Sequence, residues 1–292
     1  MQPKPFSDLQ QPTDSNTMAE ASYCNNTHNH KCVIVVPIHK EQPTNDELMS
    51  LRQCVSVLGE HQICVVCPVS LDINFYGNIL SEFGIAWSAD RFPNRFFDGI
   101  KGYNLLMLDK SFYKRFDEYE YMLIYQLDAW VFRDELDEWC SKGYDYIGAP
   151  WIEYVNGENK LTGVGNGGFS LRRIQHFIDV LSYRGPVRKA YQLNLKPSIK
   201  NIIYKFFYSL GYQNTISYYK KDESLYEDIF LSIFLSNTKL KAKMPSPEEA
   251  SRFAFEKYPS MLFENNGQLP FGCHAWRKYE YESFWKKYIA LV

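Results

Sequence analysis

No stretch of this 292-residue chain offers the ~20 uninterrupted apolar residues that a membrane-spanning helix needs. Residues 1–30 are rich in Gln, Asn, Thr and Ser and lack an apolar core of signal-peptide length, which predicts a flexible polar tail on a soluble or at most peripheral protein. A disulfide framework is missing as well: the seven cysteines, Cys24, Cys32, Cys54, Cys64, Cys67, Cys140 and Cys273, are odd in number and scattered, which points to the cytoplasm. Charge of one sign is not in excess. With 32 Lys and Arg against 34 Asp and Glu the net charge is -2, which argues against bulk binding of nucleic acid. Neither a Walker motif nor the dinucleotide fingerprint is present. Locally, though, acids are absent across 184–221, where Arg184, Arg188, Lys189, Lys196, Lys200, Lys205, Lys220 and Lys221 all fall.

What the chain has in quantity is apolar and aromatic material, 45% and 16% of its residues, ample for one large core and a single domain over 31–292. The β-branched run 31–37, stopped by proline, predicts a buried parallel strand. Thr44-Asn45-Asp46-Glu47 has the capping-box pattern and opens a helix through Leu58, and 62–67 supplies the next strand. A short strand at 84–88 follows, then a helix over 102–116 with Leu105, Leu106, Leu108 and Phe112 inward, then a central strand at 121–125. Cys64-Val65-Val66-Cys67 has redox spacing, but within a strand two small thiols simply fill space. Strands alternating with helices predict an α/β fold: a Rossmann-type three-layer sandwich with a central, mostly parallel sheet.

Four short motifs carry candidate chemistry. In Ile124-Tyr125-Gln126-Leu127-Asp128-Ala129-Trp130-Val131-Phe132 an apolar run delivers one carboxylate where the chain leaves the central strand, a place where folding seldom needs an acid. Ligands of such sheets collect beyond the carboxyl ends of the strands, so Pro37, Ile38, His39 and Lys40 share a crevice with Asp128. In Asn166-Gly167-Gly168-Phe169-Ser170-Leu171-Arg172, preceded by Gly163 and Gly165, glycine lets backbone approach a ligand closely or turn tightly. Tyr226-Glu227-Asp228 precedes an apolar run, read as a helix over 229–235, whose first turn the acids either cap or use for chemistry. Pro270-Phe271-Gly272-Cys273-His274-Ala275-Trp276 carries a histidine that is either a loop residue or a metal ligand. Lys101 is either a solvated cation or a contact to an anionic ligand at a helix start. Trp151, after Gly148-Ala149-Pro150, is either core or a sugar-stacking platform.

In this order the motifs resemble the signature elements of GT-A-type nucleotide-sugar glycosyltransferases, in particular a bacterial branch associated with cell-surface polysaccharide synthesis, over about 31–278. The resemblance implies a GT-A-like fold and a donor site at Pro37, Ile38, His39, Lys101, Gln126 and Asp128. It implies a pocket for acceptor and sugar at Trp151, Gly167, Gly168 and Phe169, with Asp228 as catalytic base and Glu227 orienting the acceptor. Where the family has Asp-x-Asp, this chain has Gln126-Leu127-Asp128: the first acid is replaced, and Asp128 keeps the position of the usual direct metal ligand. Asp128 and His274 would then hold Mn²⁺ or Mg²⁺, a hard cation that stabilises the charge growing on a departing diphosphate, and the imidazole favours Mn²⁺. The implied reaction moves a sugar from a nucleotide-diphosphate donor to a hydroxyl of a glycan or lipid-linked acceptor, with inversion.

Two other readings stay open. Gln126 in place of an acid suits a catalytically inactive glycan- or nucleotide-binding module. A sugar nucleotidyltransferase on a similar sheet would need a basic glycine-rich loop after strand one, and Pro37-Ile38-His39-Lys40-Glu41-Gln42 has no glycine. The basic stretch 184–222 reads as a helical insertion containing Ile202-Ile203-Tyr204-Lys205-Phe206-Phe207-Tyr208. It is either a surface helix packed by its apolar side or a peripheral contact at the inner face of a membrane.

Overall fold

A computed structural model describes residues 30–221, 226 and 240–289. The polar N-terminal tail, Glu227, Asp228 and the expected helix over 229–235 lie outside the described residues. The core is a six-stranded sheet. Its strands are β1 (His30–Pro37), β2 (Gln62–Pro68), β3 (Trp87–Phe92), β4 (Tyr119–Tyr125), β6 (Tyr146–Ile147) and β9 (Phe169–Arg173), in the order β3-β2-β1-β4-β9-β6. The pairs among β3, β2, β1 and β4 are parallel; β9 alone runs against its neighbours β4 and β6. Val33, Ile34, Val35 and Val36 are wholly buried, as a strand covered on both faces requires.

Helices cover both faces. On one side α1 (Asn45–Leu58), α2 (Asn74–Glu82) and α5 (Leu136–Ser141) set Leu51, Cys54, Leu58, Ile79, Leu80 and Leu136 in one cluster with Ile34, Val36 and Val65. On the other, α3 (Gly99–Met107), α4 (Lys110–Lys114) and α6 (Ile174–Ser182) set Leu106, Phe112 and Phe177 against Val33, Val35 and Met122. The result is the expected three-layer α/β sandwich. The Thr44 capping box forms as its sequence predicts, with the Glu47 amide donating to Thr44 Oγ1 at 3.3 Å and the Thr44 amide to Glu47 Oε2 at 2.7 Å.

Three local expectations need correction. The short strand expected at 84–88 runs instead over Trp87–Phe92, because Gly84 at φ +65° still belongs to the turn that closes α2. The single helix expected over 102–116 is two, since Asp109 interrupts it and accepts a hydrogen bond from the Ser111 amide at 2.8 Å as the cap of α4. Leu106, Leu108 and Phe112 are buried as expected, but Leu105 is 39% exposed. Cys64 and Cys67 belong to opposite cores, as an i, i+3 pair on a strand must, and burial raises the pKa of both thiols, to about 11 at Cys64. They are free and buried, which fits packing and not redox exchange.

Beyond the sheet, the hairpin β7 (Pro150–Val155) and β8 (Glu158–Val164) carries Trp151. The short strands β5 (Trp130–Val131), β10 (Ala254–Phe255) and β11 (Gly272–Cys273) form a second small sheet. A cluster around Trp130, Phe255, Trp276 and Trp285 packs against that sheet and brings the C-terminal region back to the end of β4. Among the described residues of the basic stretch, α7 (Ile199–Ser209) and α8 (Ile216–Tyr219) are the α-helices. Among the described residues, no helix is long and apolar enough to cross a membrane.

Candidate active site

The carboxyl ends of β1 and β4 open into a cavity of about 1010 Å³, at the upper end of the ~300–1,000 Å³ usual for ligand sites. Pro37, Ile38, His39 and Lys40 line it from the β1 end. Ile38 is pinned there by its amide, which donates to the Val66 carbonyl at 2.8 Å, and Lys40 is drawn into an ion pair with Glu47 at 2.6 Å. At the end of β4 the Gln126 amide donates to the Gly168 carbonyl and the Ala129 amide to the Gln126 carbonyl, both at 2.9 Å. That tight turn aims the Asp128 side chain at the cavity, where it is 52% exposed.

His274 arrives from a different part of the chain. It follows β11, and its amide donates to the Phe255 carbonyl at 2.9 Å. Its Nε2 then lies 3.1 Å from both Asp128 Oδ1 and Gln126 Oε1, while Nδ1 faces Glu256 Oε1 at 3.8 Å. Burial opposes a charge on this ring, but the Asp128 and Glu256 carboxylates outweigh it and raise the His274 pKa to about 10. Burial likewise pushes the Asp128 carboxyl up, and the His274 hydrogen bond and charge outweigh it, holding the group below the usual carboxylate value.

A linkage test follows. The ordinary histidine pKa is ~6.5, so stabilisation from the His274 imidazolium is complete below that pH and is lost as pH rises toward about 10. In chelator-treated protein, the unfolding free energy should therefore decline by a few kcal/mol across this window relative to His274→Gln, measured by denaturant melts at several pH values. Parallel curves for the two proteins would show that the ring is neutral.

The glycine-rich segment proves to be shaped by the protein's own side chains. A Cβ at Gly168 would sit 2.1 Å from His274 Nε2, and one at Gly165 would sit 2.2 Å from Trp151 Nε1. Only glycine lets the imidazole and the indole lie this close to the backbone. Arg172 supports the segment from beneath. It is wholly buried, and its guanidinium donates to Gly167 O at 3.3 Å, Ser170 Oγ at 3.0 Å and Tyr113 OH at 2.9 Å.

Of the residues named from sequence, the fold brings Pro37, Ile38, His39, Gln126, Asp128, Trp151, Gly167, Gly168 and His274 to one cavity. Two are placed elsewhere. Lys101 is exposed on α3 and is not among the lining residues, although Gly99 and Ile100 at the start of that helix are. Phe169, expected in the sugar pocket, is wholly buried with its ring against Tyr125, Phe253 and Phe271, because it opens β9, a strand covered on both faces. Glu227 and Asp228 lie outside the described residues, and Tyr226, just before them in sequence, lines the cavity.

Sequence reasoning missed Glu256, Lys257, Lys278 and Tyr279, which complete the wall beside His274. Glu256 was detectable: it ends the apolar stretch Phe253-Ala254-Phe255, the same signature that exposed Asp128. Among the described residues, no group of three or more His, Cys, Asp and Glu side chains is placed to hold a metal ion. Asp128 and His274 nevertheless fit as a pair. Two ligands ~2.1 Å from one octahedral cation and at right angles to each other lie ~3 Å apart, close to the 3.1 Å observed.

Solved structures with a similar course of chain include core-mannan synthase A (CmsA/Ktr4) from Aspergillus fumigatus in its Mn/GDP form, at 10% identity and a TM-score of 0.38, with 78% of this chain matched to 77% of that one. The glycosyltransferase GlyE of Streptococcus pneumoniae TIGR4 matches at 13% identity and a TM-score of 0.49, covering 90% of this chain and 61% of GlyE. S. aureus TarS matches at 16% identity and a TM-score of 0.33, covering 51% of this chain and 29% of TarS. The chain thus spans about three fifths of GlyE and under a third of TarS. No curated protein matches its sequence. Residues 86–274, a stretch that contains Asp128 and closes on His274, match the family model described as "Protein of unknown function (DUF5672)", and the chain belongs to that family.

Proposed function

We propose that the protein is a glycosyltransferase that moves a sugar from a nucleotide-diphosphate donor to the hydroxyl of a glycan or lipid-linked acceptor. One observation carries this reading: Asp128 and His274, 146 positions apart in sequence, meet at 3.1 Å at the mouth of β4 in a cavity that the β1 end also lines. In this reading Asp128 Oδ1 and His274 Nε2 hold a divalent cation, Mn²⁺ or Mg²⁺, which when bound supplies positive charge to the departing diphosphate. Glu256, 3.8 Å behind Nδ1, adds negative charge on the far side of the ring and stands where a shift of a few tenths of an ångström would let Nδ1 donate to it, as metal-binding histidines do to carboxylates. Lys257 and Lys278 add positive charge to the same wall, and Trp151 lends an indole for stacking on a sugar.

Transfer requires that the acceptor oxygen form a bond to the anomeric carbon while the bond from that carbon to the diphosphate oxygen breaks. The hydroxyl proton needs a base, and Asp228 is the residue proposed for it, with Glu227 orienting the acceptor; both assignments rest on the motif resemblance. Inversion at the anomeric carbon is the outcome expected of such a single displacement.

The test is a panel of sugar nucleotides scored by thermal shift with and without Mn²⁺. At least one should raise the melting temperature in a Mn²⁺-dependent manner, since a ligand that binds the native state stabilises it. A panel in which none does, with or without the cation, would reject the donor site.

A further inference from the structure

Helix α7 is built the wrong way round for a helix that packs on its own domain. Its inner side is polar: Tyr208, which is buried, meets the Tyr219 hydroxyl at 2.7 Å, Tyr204 OH donates to Gln213 Oε1 at 3.1 Å, and Asn201 Nδ2 donates to the Lys196 carbonyl at 2.8 Å. Its apolar side is the one turned to solvent. Ile199 is 80% exposed, Ile202 65%, Ile203 52%, Phe206 60%, Phe207 51%, and Leu210, the C-terminal cap, 66%. At ~100° per residue these six positions fall within an arc of about 140°.

The borders of that arc are cationic. At ~100° per residue Lys200 lies about 20° beyond one edge and Lys205, half-buried, about 60° beyond the other, each within reach of the rim for a long stem. No acid occurs across 184–221 to neutralise them. A protein partner for such a face would be marked by mixed charges at the rim. The charges that α7 itself sets near this face are Lys200 and Lys205, and a basic border around Ile and Phe matches an apolar phase bounded by anionic headgroups.

We propose that the α7 face lies on an anionic lipid surface, with Ile203 and Phe206 entering the boundary between headgroups and acyl chains and Lys200 and Lys205 meeting lipid phosphates. The proposal rests on this face alone and not on the glycosyl-transfer reading.

The full chain should cosediment with vesicles of phosphatidylcholine containing phosphatidylglycerol, bind pure phosphatidylcholine vesicles far less, and be released by high salt. The double variant Ile203→Glu with Phe206→Glu should lose at least about tenfold in partitioning, since two carboxylates would have to enter the interface. Because both side chains face solvent, its circular dichroism and melting curve should stay as they are. Lys200→Gln with Lys205→Gln should weaken binding to the anionic vesicles and leave the weak binding to neutral ones unchanged; this variant also answers the question should the glutamate variant misfold. Wild-type protein that stays in the supernatant with anionic vesicles would overturn the proposal, as would equal sedimentation of wild type and variants. So would a wild-type dimer, seen by analytical ultracentrifugation, that the glutamate variant abolishes, because a second copy would then cover the face. Donor-dependent thermal shifts in vesicle-free solution should be the same for wild type and the glutamate variant, so failure of either reading leaves the other standing.

Discussion

Asp128→Asn is expected to abolish the Mn²⁺-dependent part of donor binding and to lower turnover by at least about 10²-fold. The amide keeps the shape and volume of the side chain but carries no charge, and a hard cation relying on one carboxylate and one imidazole would lose the only negative charge among its protein ligands. The fold should tolerate the change, since the Asp128 side chain is half exposed and its backbone carbonyl, which accepts from the Trp276 amide at 3.4 Å, is untouched. Calorimetric titration of donor with and without Mn²⁺ would check this. Unchanged affinity and an unchanged response to the cation would leave Asp128 as a partner of His274 and nothing more. Asp228→Asn should behave differently: as the proposed base it should keep donor affinity and lose ~10²- to 10⁴-fold in turnover. If Asp228→Asn loses donor binding instead, that residue belongs to the donor site.

The second large effect is expected from the smallest change, Gly168→Ala. The new methyl carbon would lie 2.1 Å from His274 Nε2, 2.5 Å from Cδ2 and 2.6 Å from Cε1, well inside van der Waals contact on three atoms of one ring. The backbone at Gly168 cannot easily retreat, because its carbonyl accepts the Gln126 amide at the end of β4. The imidazole must therefore swing away and surrender its 3.1 Å contacts to Asp128 and Gln126. Gly168 is not among the residues at positive φ, so strain in the backbone conformation is not the cause. We expect Gly168→Ala to lose the Mn²⁺ response as fully as His274→Ala does, at a cost of ~1–3 kcal/mol in stability from overpacking. Gly163→Ala is the control. Its methyl would press on Trp151 Cε3 at 2.8 Å, and it should leave the Mn²⁺ response in place. A Gly168→Ala protein with the wild-type cation response would show that His274 does not need this ring position.

Local patterns were enough to place the parallel core. The β-branched run that became β1, the capping box at Thr44 and the apolar stretch of β4 all predicted their own conformations, because strand burial and helix capping depend on neighbours within a few residues. Asp128 was legible for a related reason: an acid that closes an apolar strand stands out without knowledge of its surroundings. The interruption at Asp109 was less visible, since a capping aspartate within a helical pattern also reads as an ordinary surface residue. Phe169 fell outside the cavity because a motif shows which residues cluster in sequence, whereas β9 is covered on both faces from its first residue, so the lining ends at Gly168.

By itself, then, the sequence determined the layered α/β core, the strand ends that open on the cavity and the carboxylate at one of them. The motif resemblance implied that Asp128 and His274 share a site; only the tertiary structure decided the 3.1 Å between them with Glu256 behind the ring, the room that Gly168 leaves for that ring, and the outward turn of the isoleucines and phenylalanines of α7. The physical reason is the same in each case. Strand and cap preferences are written in residues a few positions apart, while a site assembled across 146 positions, or the outward face of a helix, depends on what the rest of the chain packs against it.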